Sequence, residues 1–386
     1  MSTKDLLIEI GTEELPPKAL NKLSAAFTRS VEQGLKDSNV SFKKASAYAA
    51  PRRLAIIVSD VEKSQPDRDV EKRGPGVKAA FYADGKPTKA AQGFAHSCGV
   101  EVDALQRLKT DKGEWLVFRE NEKGKPAVDL IAGIVDQSLA KLPIPKRMRW
   151  GDSDAEFVRP VHWLVILHGS EVIDAEILGL KSSRETFGHR FHANGSLLLH
   201  EADGYAEQLR SDAFVIADME ERKNIIRQQV EKAATDLGGQ IIIDEELLQE
   251  VAGLVEWPVA VVGDFDKEFL DVPSEALIKT MQDNQKYFAV LDGDRKIKPY
   301  FITISNIDSK TPEKVKAGNE RVIRPRFADA AFFWNQDKKQ PLDAFLLRLD
   351  QVVFQKKLGS IGDKCQRIEK LSEIIAGQMG ADVKQA

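Results

Sequence analysis

The sequence predicts an α+β fold with mixed, mostly antiparallel sheets and packed helices, followed by the start of an all-α region. Three observations support this fold class. Short apolar runs of strand length recur along the chain between turn signals. Stretches with apolar residues at helical spacing stand between these runs. From about Asp329 onward the pattern turns wholly helical, so we expect a separate helical region there.

The first strand and the first helix are predicted on either side of the segment EIGTEELPP. Residues 5–10 form a short, partly alternating apolar run, which is typical of a strand. Pro16 and Pro17 suit the first turn of a helix, where a missing N–H costs little. Apolar residues then recur at helical spacing up to about residue 35, so an amphipathic helix should follow the prolines.

Three glutamates, Glu9, Glu13 and Glu14, lie close together in this segment and allow two interpretations. They form either a carboxylate cluster for acid–base or metal chemistry, or a strand-to-helix junction. A metal site would need further ligands from elsewhere, and the spacing alone supplies none. We therefore favour the junction, with Thr12 as the helix cap and Glu13 and Glu14 near the positive helix end.

Later elements follow the same two periodicities. Strands are expected at 52–61, 115–120, 257–265, 286–294 and 300–307, and a hairpin from 162–169 and 172–179. Helices are expected at 86–97, 126–141 and 219–238. A further helix is expected to begin near residue 204, and a strand is expected between it and the helix at 219–238. Residues 62–76 form a polar, charged stretch. We divide the chain into an α+β region at 1–180, a second α+β region at 181–328 and the start of a helical region at 329–386.

Composition excludes several classes of protein. The chain has 386 residues, of which 42% are hydrophobic and 30% charged, as in ordinary soluble globular proteins. Two cysteines exclude a disulfide framework and a cysteine-rich zinc site. We find no signal peptide and no apolar run of membrane-spanning length, so a cytoplasmic protein without a membrane partner is expected. Because the net charge is −4, any nucleic-acid contact must come from local basic patches.

Motifs for catalysis and nucleotide binding are weak. No phosphate-binding glycine loop and no nucleophile elbow occur. The segment VFRE at 117–120 resembles the Phe-Arg-x-Glu core of class II aminoacyl-tRNA synthetases, but no later glycine-rich strand with an arginine completes that site. His189 and His192 stand three apart in GHRFHANG, where glycine and asparagine favour a loop or a strand over a metal-binding helix.

Clusters that mix basic and aromatic residues are more informative. Guanidinium groups match phosphates in bidentate fashion, and planar rings stack on unpaired bases. Such clusters on an acidic chain indicate a localised RNA footprint. The alternative is structural, because these arginines could pair with nearby aspartates and these rings could belong to the core. The candidate phosphate contacts are Arg52, Arg53, Lys146, Arg147, Arg149, Lys286, Arg321, Arg324 and Arg326, and the candidate stacking rings are Trp150 and Tyr287.

The same stretches, in the same order, resemble a known family. They include LLIEIGTEELPPKAL, APRRLAI, KRMRWG, FVRPVHWLVILHG, SRETFGHRFH, TMQDNQKYFAV and the long segment YFITISNIDSKTPEKVKAGNERVIRPRFADAAFFWNQD. Together they resemble the β subunit of the bacterial heterotetrameric glycyl-tRNA synthetase. No single stretch would be specific for this family, but the ordered set of stretches from residue 6 to about 337 is specific for it.

The resemblance implies a division of labour. In that family the α subunit holds the class II catalytic core with the glycine and ATP sites, and an α2β2 complex is needed for activity. The β chain handles tRNA and is much longer than this one, continuing through an HD-like helical domain to an anticodon-binding domain. The resemblance therefore implies an N-terminal portion that ends early in the HD-like domain. It implies tRNA(Gly) and the α subunit as partners, no catalytic residue or metal in this chain, and ATP and Mg²⁺ bound at the α subunit.

Three alternatives remain open at this point. The helical tail could belong to a metal-dependent phosphohydrolase, although no histidine follows His200. The region of His189 and His192 could carry an editing hydrolase that acts on mischarged tRNA. The basic clusters could also be purely structural and contact only the α subunit.

Overall fold

We describe the fold from a computed structural model, which covers residues 3–82, 85–111 and 113–386. The helices are α1 Pro17–Asp37, α2 Val77–Ala80, α3 Lys89–Ser97, α4 Val128–Ala140, α5 Tyr205–Ala213, α6 Met219–Asp236, α7 Glu245–Ala252, α8 Ser274–Thr280, α9 Pro312–Asp337, α10 Leu346–Leu349 and α11 Ile361–Met379. The longer strands are β1 Thr3–Thr12, β2 Lys44–Ala50, β3 Arg53–Glu62, β4 Arg68–Gly76, β5 Gln106–Thr110, β6 Gly113–Glu122, β9 Val161–His168, β15 Val259–Asp264, β16 Phe288–Leu291 and β17 Ile297–Ser305. The shorter strands are β7 Met148–Arg149, β8 Glu156–Phe157, β10 Glu171–Val172, β11 Glu176–Ile177, β12 Leu180–Lys181, β13 Glu185–Phe187, β14 Ser196–Leu198, β18 Val353–Gln355 and β19 Gly359–Ser360.

The chain divides into two compact units. The first comprises Met1–Lys232, Ile243–Ala260 and Ile304–Lys310, and the second comprises Ala233–Ile242, Val261–Thr303 and Thr311–Ala386. Within the described residues the pattern is mixed α and β with several small antiparallel sheets, as the sequence predicted. No helix in the described part of the chain is long and apolar enough to cross a membrane.

The first unit is built on a five-stranded antiparallel sheet with the order β10-β9-β1-β3-β2. Successive side chains of a strand point to opposite faces, and both faces of β1 are buried. Leu6, Ile8 and Ile10 pack in one core with α1 and α4, whereas Leu7 packs in a second core with α5. This double burial explains why the first strand is nearly continuously apolar.

Gly11 is required by the packing of β1 against β9. A Cβ atom at this position would lie 1.8 Å from Cε2 of Trp163. Any other residue would therefore displace the indole ring. This close approach is the physical reason for the glycine in EIGTEELPP.

The prediction of a helix cap at this junction is wrong. The N-cap residue of α1 is Pro16, and the helix has no side-chain cap and no acid in its first turn. Thr12 ends β1, and its hydroxyl is buried without a hydrogen-bond partner among the described atoms. Glu13 and Glu14 instead form ion pairs with Arg190.

The polar stretch at 62–76 contains a strand, which hydrophobic periodicity did not reveal. Strand β4 pairs with β6 in a three-stranded sheet with the order β4-β6-β5. Arg68 pairs with Glu122, and Arg119 with Glu71, across the two strands. Cross-strand pairs of opposite charge stabilise exposed strands, so this ladder needs no apolar alternation.

Two other strand predictions are wrong in extent. The predicted hairpin of 162–169 with 172–179 is present but shorter, because β10 pairs with β9 only through Glu171 and Val172. The rest of 172–179 is irregular backbone and the short strand β11. Residues 214–218 are not a strand, although Val215 and Ala217 are buried. Their backbone groups bond singly to different elements: the N–H of Val215 to helix α5, that of Ile216 to the carbonyl of Glu256, and the carbonyl of Ala217 to Ala49 of β2. The residues of this run are apolar because they are buried, and they do not form a strand of a sheet.

In the second unit, α8 and α9 pack over the sheet β15-β17-β16 around a core that includes Phe265, Phe301, Ile323 and Phe327. The prediction of a wholly helical tail is wrong, because β18 and β19 form a small antiparallel hairpin after α10. The final helix α11 then begins with a capping box formed by Ser360 and Asp363.

Candidate nucleic-acid interface

Arg53, one of the predicted phosphate contacts, is fully buried in the first unit. Its Nη1 donates to Oε1 of Glu9 at 2.9 Å and to the Thr186 hydroxyl at 3.3 Å. Its Nη2 donates to the carbonyl of Phe187 at 2.5 Å and lies 3.5 Å from Oε1 of Glu256. The guanidinium is therefore surrounded by protein groups, and in this structure it does not reach solvent.

The register of the central sheet explains this pairing. Gly11 of β1 lies opposite Arg53 of β3, and Glu9 lies opposite Ala55. Glu9 and Arg53 thus stand diagonally on one face of the sheet, the same face as Leu7. Burial raises the pKa of Glu9, and the Arg53 guanidinium and the Thr186 hydroxyl oppose that rise. The Glu9 carboxylate of EIGTEELPP is therefore a structural partner of an arginine.

Arg52, the neighbouring candidate, is half-buried. Its Nη1 lies 3.5 Å from the carbonyl oxygen of Gly188, and its guanidinium lies 5.5 Å from the Trp163 ring. Burial lowers the pKa of Arg52, and the carboxylate of Glu256 opposes this. Arg52 keeps partial access to solvent.

The predicted cluster at 146–150 is mostly on the surface of the first unit. Lys146 and Arg149 are exposed, and Arg149 pairs with Asp154 at 2.5 Å. Arg147 is half-buried and donates to the carbonyl of Ala140 at 2.9 Å, so it caps the C-terminus of α4. Trp150 is half-buried against the core beneath α1 and α4.

Lys286 and Tyr287 lie at a strained turn in the second unit. Residues 281–285 form one π-helical turn, and Lys286 then adopts a left-handed backbone with φ of 60°. Lys286 Nζ donates to the carbonyl of Asp283 at 3.0 Å. Tyr287 is buried, stacks on Phe301 at 4.6 Å between ring centroids, and donates to Asn319 at 2.6 Å. Its ring is packed inside the core and offers no face to a base.

Helix α9 exposes the remaining three candidates. Ile323 and Phe327 bury one face of this helix, whereas Arg321, Arg324 and Arg326 are exposed. Arg324 has one ion pair, with Asp266 at 3.4 Å.

Two exposed rings continue the cationic side of α9. Phe332 and Phe333 are 57% and 63% exposed, and their ring centroids lie 5.5 Å apart. Arg321 and Phe332 lie about three turns apart on the same side of the helix. Of the predicted clusters, this one combines accessible guanidinium groups with accessible rings.

The two histidines of GHRFHANG are brought together in a turn of the first unit. Their ring centroids lie 4.6 Å apart. Nε2 of His189 bonds to the carbonyl of Asn306 at 2.5 Å, and Nε2 of His192 accepts the N–H of Asp308 at 3.0 Å. Burial lowers the pKa of His192, and His189 adds to this. In the described parts of the chain, no group of three or more His, Cys, Asp or Glu side chains is placed to hold a metal ion.

Phe191, which lies between those histidines, is not among the residues predicted from the sequence. It is 77% exposed, more than the phenylalanines of α9. A large aromatic residue inside a turn rich in glycine and polar residues was the available signal, because such a ring has little apolar sequence around it to join in a core.

Comparisons with known proteins agree with the resemblance predicted from the sequence. A family model described as glycyl-tRNA synthetase beta subunit matches residues 6–386. The glycine–tRNA ligase beta subunit of Hahella chejuensis is 53% identical over 386 residues, covering 100% of this chain and 56% of that protein. Those of Chromohalobacter salexigens and Stutzerimonas stutzeri are 52% and 51% identical with the same coverage.

The chain thus spans about half the length of the curated relatives it matches. The match extends along the whole of this chain, through both compact units. The chain therefore belongs to the glycyl-tRNA synthetase beta subunit family.

Proposed function

We propose that this chain acts as the noncatalytic, tRNA-handling part of a glycine–tRNA ligase. It binds and positions tRNA(Gly) and assembles with a catalytic α subunit, in an α2β2 complex of the cytoplasm. Family membership along the whole chain is the observation that carries this proposal. Glycine, ATP and Mg²⁺ are bound by the α subunit, and this chain supplies placement, which lowers the entropic cost of bringing the tRNA end to the adenylate.

The exposed side of α9 supports an RNA contact in the second unit. Arg321 and Arg326 are exposed, and Phe332 and Phe333 offer free ring faces farther along the same helix. Guanidinium groups bind phosphates and fix register, while rings stack on unpaired bases. Lys146 and Arg149 support a second contact in the first unit. Arg53 and Tyr287 serve the core instead, and Arg147 orders a helix end.

We further propose the regional organisation expected from the sequence. Residues 1–180 form the first tRNA-handling region, 181–328 a second α+β region, and 329–386 the start of an HD-like helical domain. Many apolar side chains in the last of these regions are exposed, such as Leu347, Val353 and Met379. Such exposure is typical of an element that packs against further protein.

A titration of tRNA(Gly) against the chain at two salt concentrations tests the RNA contact. Arg321→Glu should weaken binding and lower the slope of log K against log salt by about one for each phosphate that the variant no longer neutralises. Arg29→Glu, an equal charge change at an exposed position of α1, is the matched control. Equal binding by both variants and the parent chain at both salt concentrations would remove Arg321 from the interface.

Assembly is tested separately by size-exclusion chromatography. The chain is mixed with the purified α subunit encoded by the same genome, with and without tRNA(Gly). Co-elution of the three components is the expected result. Elution of the chain apart from both of the others would contradict the proposed function.

A further inference from the structure

The connection between strands β13 and β14 of the first unit carries the dipeptide Asn194-Gly195. It is the single place in the sequence where a glycine follows an asparagine. Both residues are exposed, and they stand just before Ser196, which pairs with Phe187 at the end of the two-stranded ladder. The carboxamide of an asparagine in such a position is open to attack by the backbone amide that follows it.

Hydrogen bonds hold the first half of this connection. The N–H groups of Phe191 and His192 donate to Nδ1 of His189, at 3.2 and 3.3 Å. The N–H of Ala193 donates to the carbonyl of His189 at 3.0 Å. Each backbone N–H from 191 to 193 is therefore engaged and is not available as a nucleophile.

The second half of the connection is open. Among the residues that the structure describes, neither the carboxamide of Asn194 nor the N–H of Gly195 takes part in a hydrogen bond. Gly195 has a left-handed backbone with φ of 77°, and a Cβ atom added there would meet no atom within 4 Å. Glycine has the widest conformational freedom of any residue. The Gly195 amide can therefore rotate toward the side chain of Asn194 without breaking a hydrogen bond.

A free backbone amide beside an asparagine carboxamide permits cyclisation, and asparagine is accordingly a thermolabile residue. The N–H of Gly195 gives its proton to solvent base, and the nitrogen attacks Cγ of Asn194. The N–Cγ bond forms while the Cγ–Nδ2 bond breaks, and Nδ2 takes up a proton and leaves as ammonia. Water then opens the succinimide, either at Cγ to give aspartate or at the backbone carbonyl to give isoaspartate. Asparagine and water thus become an acidic residue and ammonia, without any oxidant or reductant.

We propose that Asn194 is a site of spontaneous deamidation in the folded chain, and that the unengaged amide of Gly195 is the nucleophile. The product carries a carboxylate in place of a neutral amide. Its isoaspartyl form also inserts a methylene group into the main chain between β13 and β14. The inference is independent of the proposed function, since it concerns neither tRNA nor the α subunit.

Asn39 provides a contrast within the same chain. It is exposed as well, but it is followed by Val40, which is buried. The N–H of Val40 donates to the carbonyl of Leu35 at 2.9 Å. The branched Cβ of valine also crowds the backbone nitrogen. Asn39 should therefore remain an amide under conditions in which Asn194 reacts.

Incubation of the full chain at physiological temperature and mildly alkaline pH tests the proposal. After digestion at mildly acidic pH, mass spectrometry measures the deamidated fraction of the peptides that contain Asn194 and Asn39. This fraction should be about ten-fold higher at Asn194. Isoelectric focusing of the intact chain should show a growing acidic species that comigrates with Asn194→Asp. Asn194→Gln should form much less of it, because a glutamine must close a larger ring.

Three results would overturn the proposal. Equal deamidated fractions at Asn194 and Asn39 would show that the free amide of Gly195 confers no reactivity. Reaction of Asn194 in urea, without reaction in the folded chain, would show that the fold protects this site. Equal formation of the acidic species by Asn194→Gln and the parent chain would place the modification elsewhere.

Discussion

The first unit uses arginines inside its core, whereas helix α9 of the second unit leaves them in water. Arg53 and Arg222 are both fully buried in the first unit. Arg222 donates to the carbonyls of Ala49 and Ala252, each at 2.8 Å, and burial lowers its pKa to about 10. Arg321 of α9 is exposed. The same side chain thus joins a strand and a helix end in one unit and is exposed on a helix in the other.

The residues next to an arginine in the sequence do not reveal whether its side chain is buried or exposed. Arg53 and Arg324 both stand near a proline and near apolar residues. What separates them is the element to which each belongs. In β3 the alternation turns Arg53 toward a buried glutamate, and in α9 the spacing of Ile323 and Phe327 turns the arginines outward.

The largest expected effect is at Arg53. Arg53→Met should lower the free energy of unfolding by about 3–5 kcal/mol, because it leaves Glu9 buried without its counter-charge and removes the ion pair of Glu256. Denaturant titration followed by circular dichroism measures this loss. The double variant Glu9→Gln with Arg53→Met should recover part of it. Unfolding of Arg53→Met at the parent's midpoint would show that the ion pair contributes nothing to the first unit.

An intermediate effect is expected at Tyr287 in the second unit. Tyr287→Phe removes the hydrogen bond to Asn319 and should cost about 1 kcal/mol. Burial raises the pKa of Tyr287 to about 12, above its ordinary value of about 10. Its contribution to stability is therefore complete below about pH 10 and declines as the pH rises toward 12.

Denaturant titration between about pH 8 and pH 11 checks both statements about Tyr287. Tyr287→Phe should show a shallower loss of stability with rising pH than the parent chain. Tyr300→Phe on β17, a tyrosine that is only partly buried, is the control. Parallel pH profiles for parent and Tyr287→Phe would contradict the expected role.

The smallest effect on stability is expected at Arg321. Arg321→Ala should change the free energy of unfolding by no more than about 0.5 kcal/mol, since the side chain is exposed on α9. The same denaturant titration provides the measurement. A loss above about 1 kcal/mol would mean that this arginine is structural, as Arg53 is, and the contrast between the two units would vanish.

Much of the fold follows from apolar periodicity. Strands β1, β3, β6, β9 and β17 and helices α1 and α4 lie where apolar spacing predicted them. Strand β4 was missed because its stability comes from charge pairs with a partner about 50 residues later in the chain. The short hairpin β18–β19 was missed because each strand is too brief for any period to show.

The site was harder to predict than the fold. The arginines of α9 were found from composition, and their exposure follows from helical spacing. The burial of Arg53 depends on the register between β1 and β3. The amino-acid sequence alone does not reveal that register. The position of Phe191 depends on His189, whose Nδ1 accepts the N–H of Phe191 within the same turn. No periodicity in the sequence indicates such an interaction.

Within the first unit, the two chain segments that connect the region of β4, β5 and β6 to the five-stranded sheet and α4 run side by side. The N–H of Gln65 donates to the carbonyl of Lys125 at 2.9 Å, and that of Ala127 to the carbonyl of Lys63 at 2.8 Å. Entry and exit therefore stand side by side, directly after β3 and directly before α4. Insertions or deletions between these two points therefore displace neither β3 nor α4. The region of β4, β5 and β6 can be shortened, enlarged or replaced while the five-stranded sheet keeps its register.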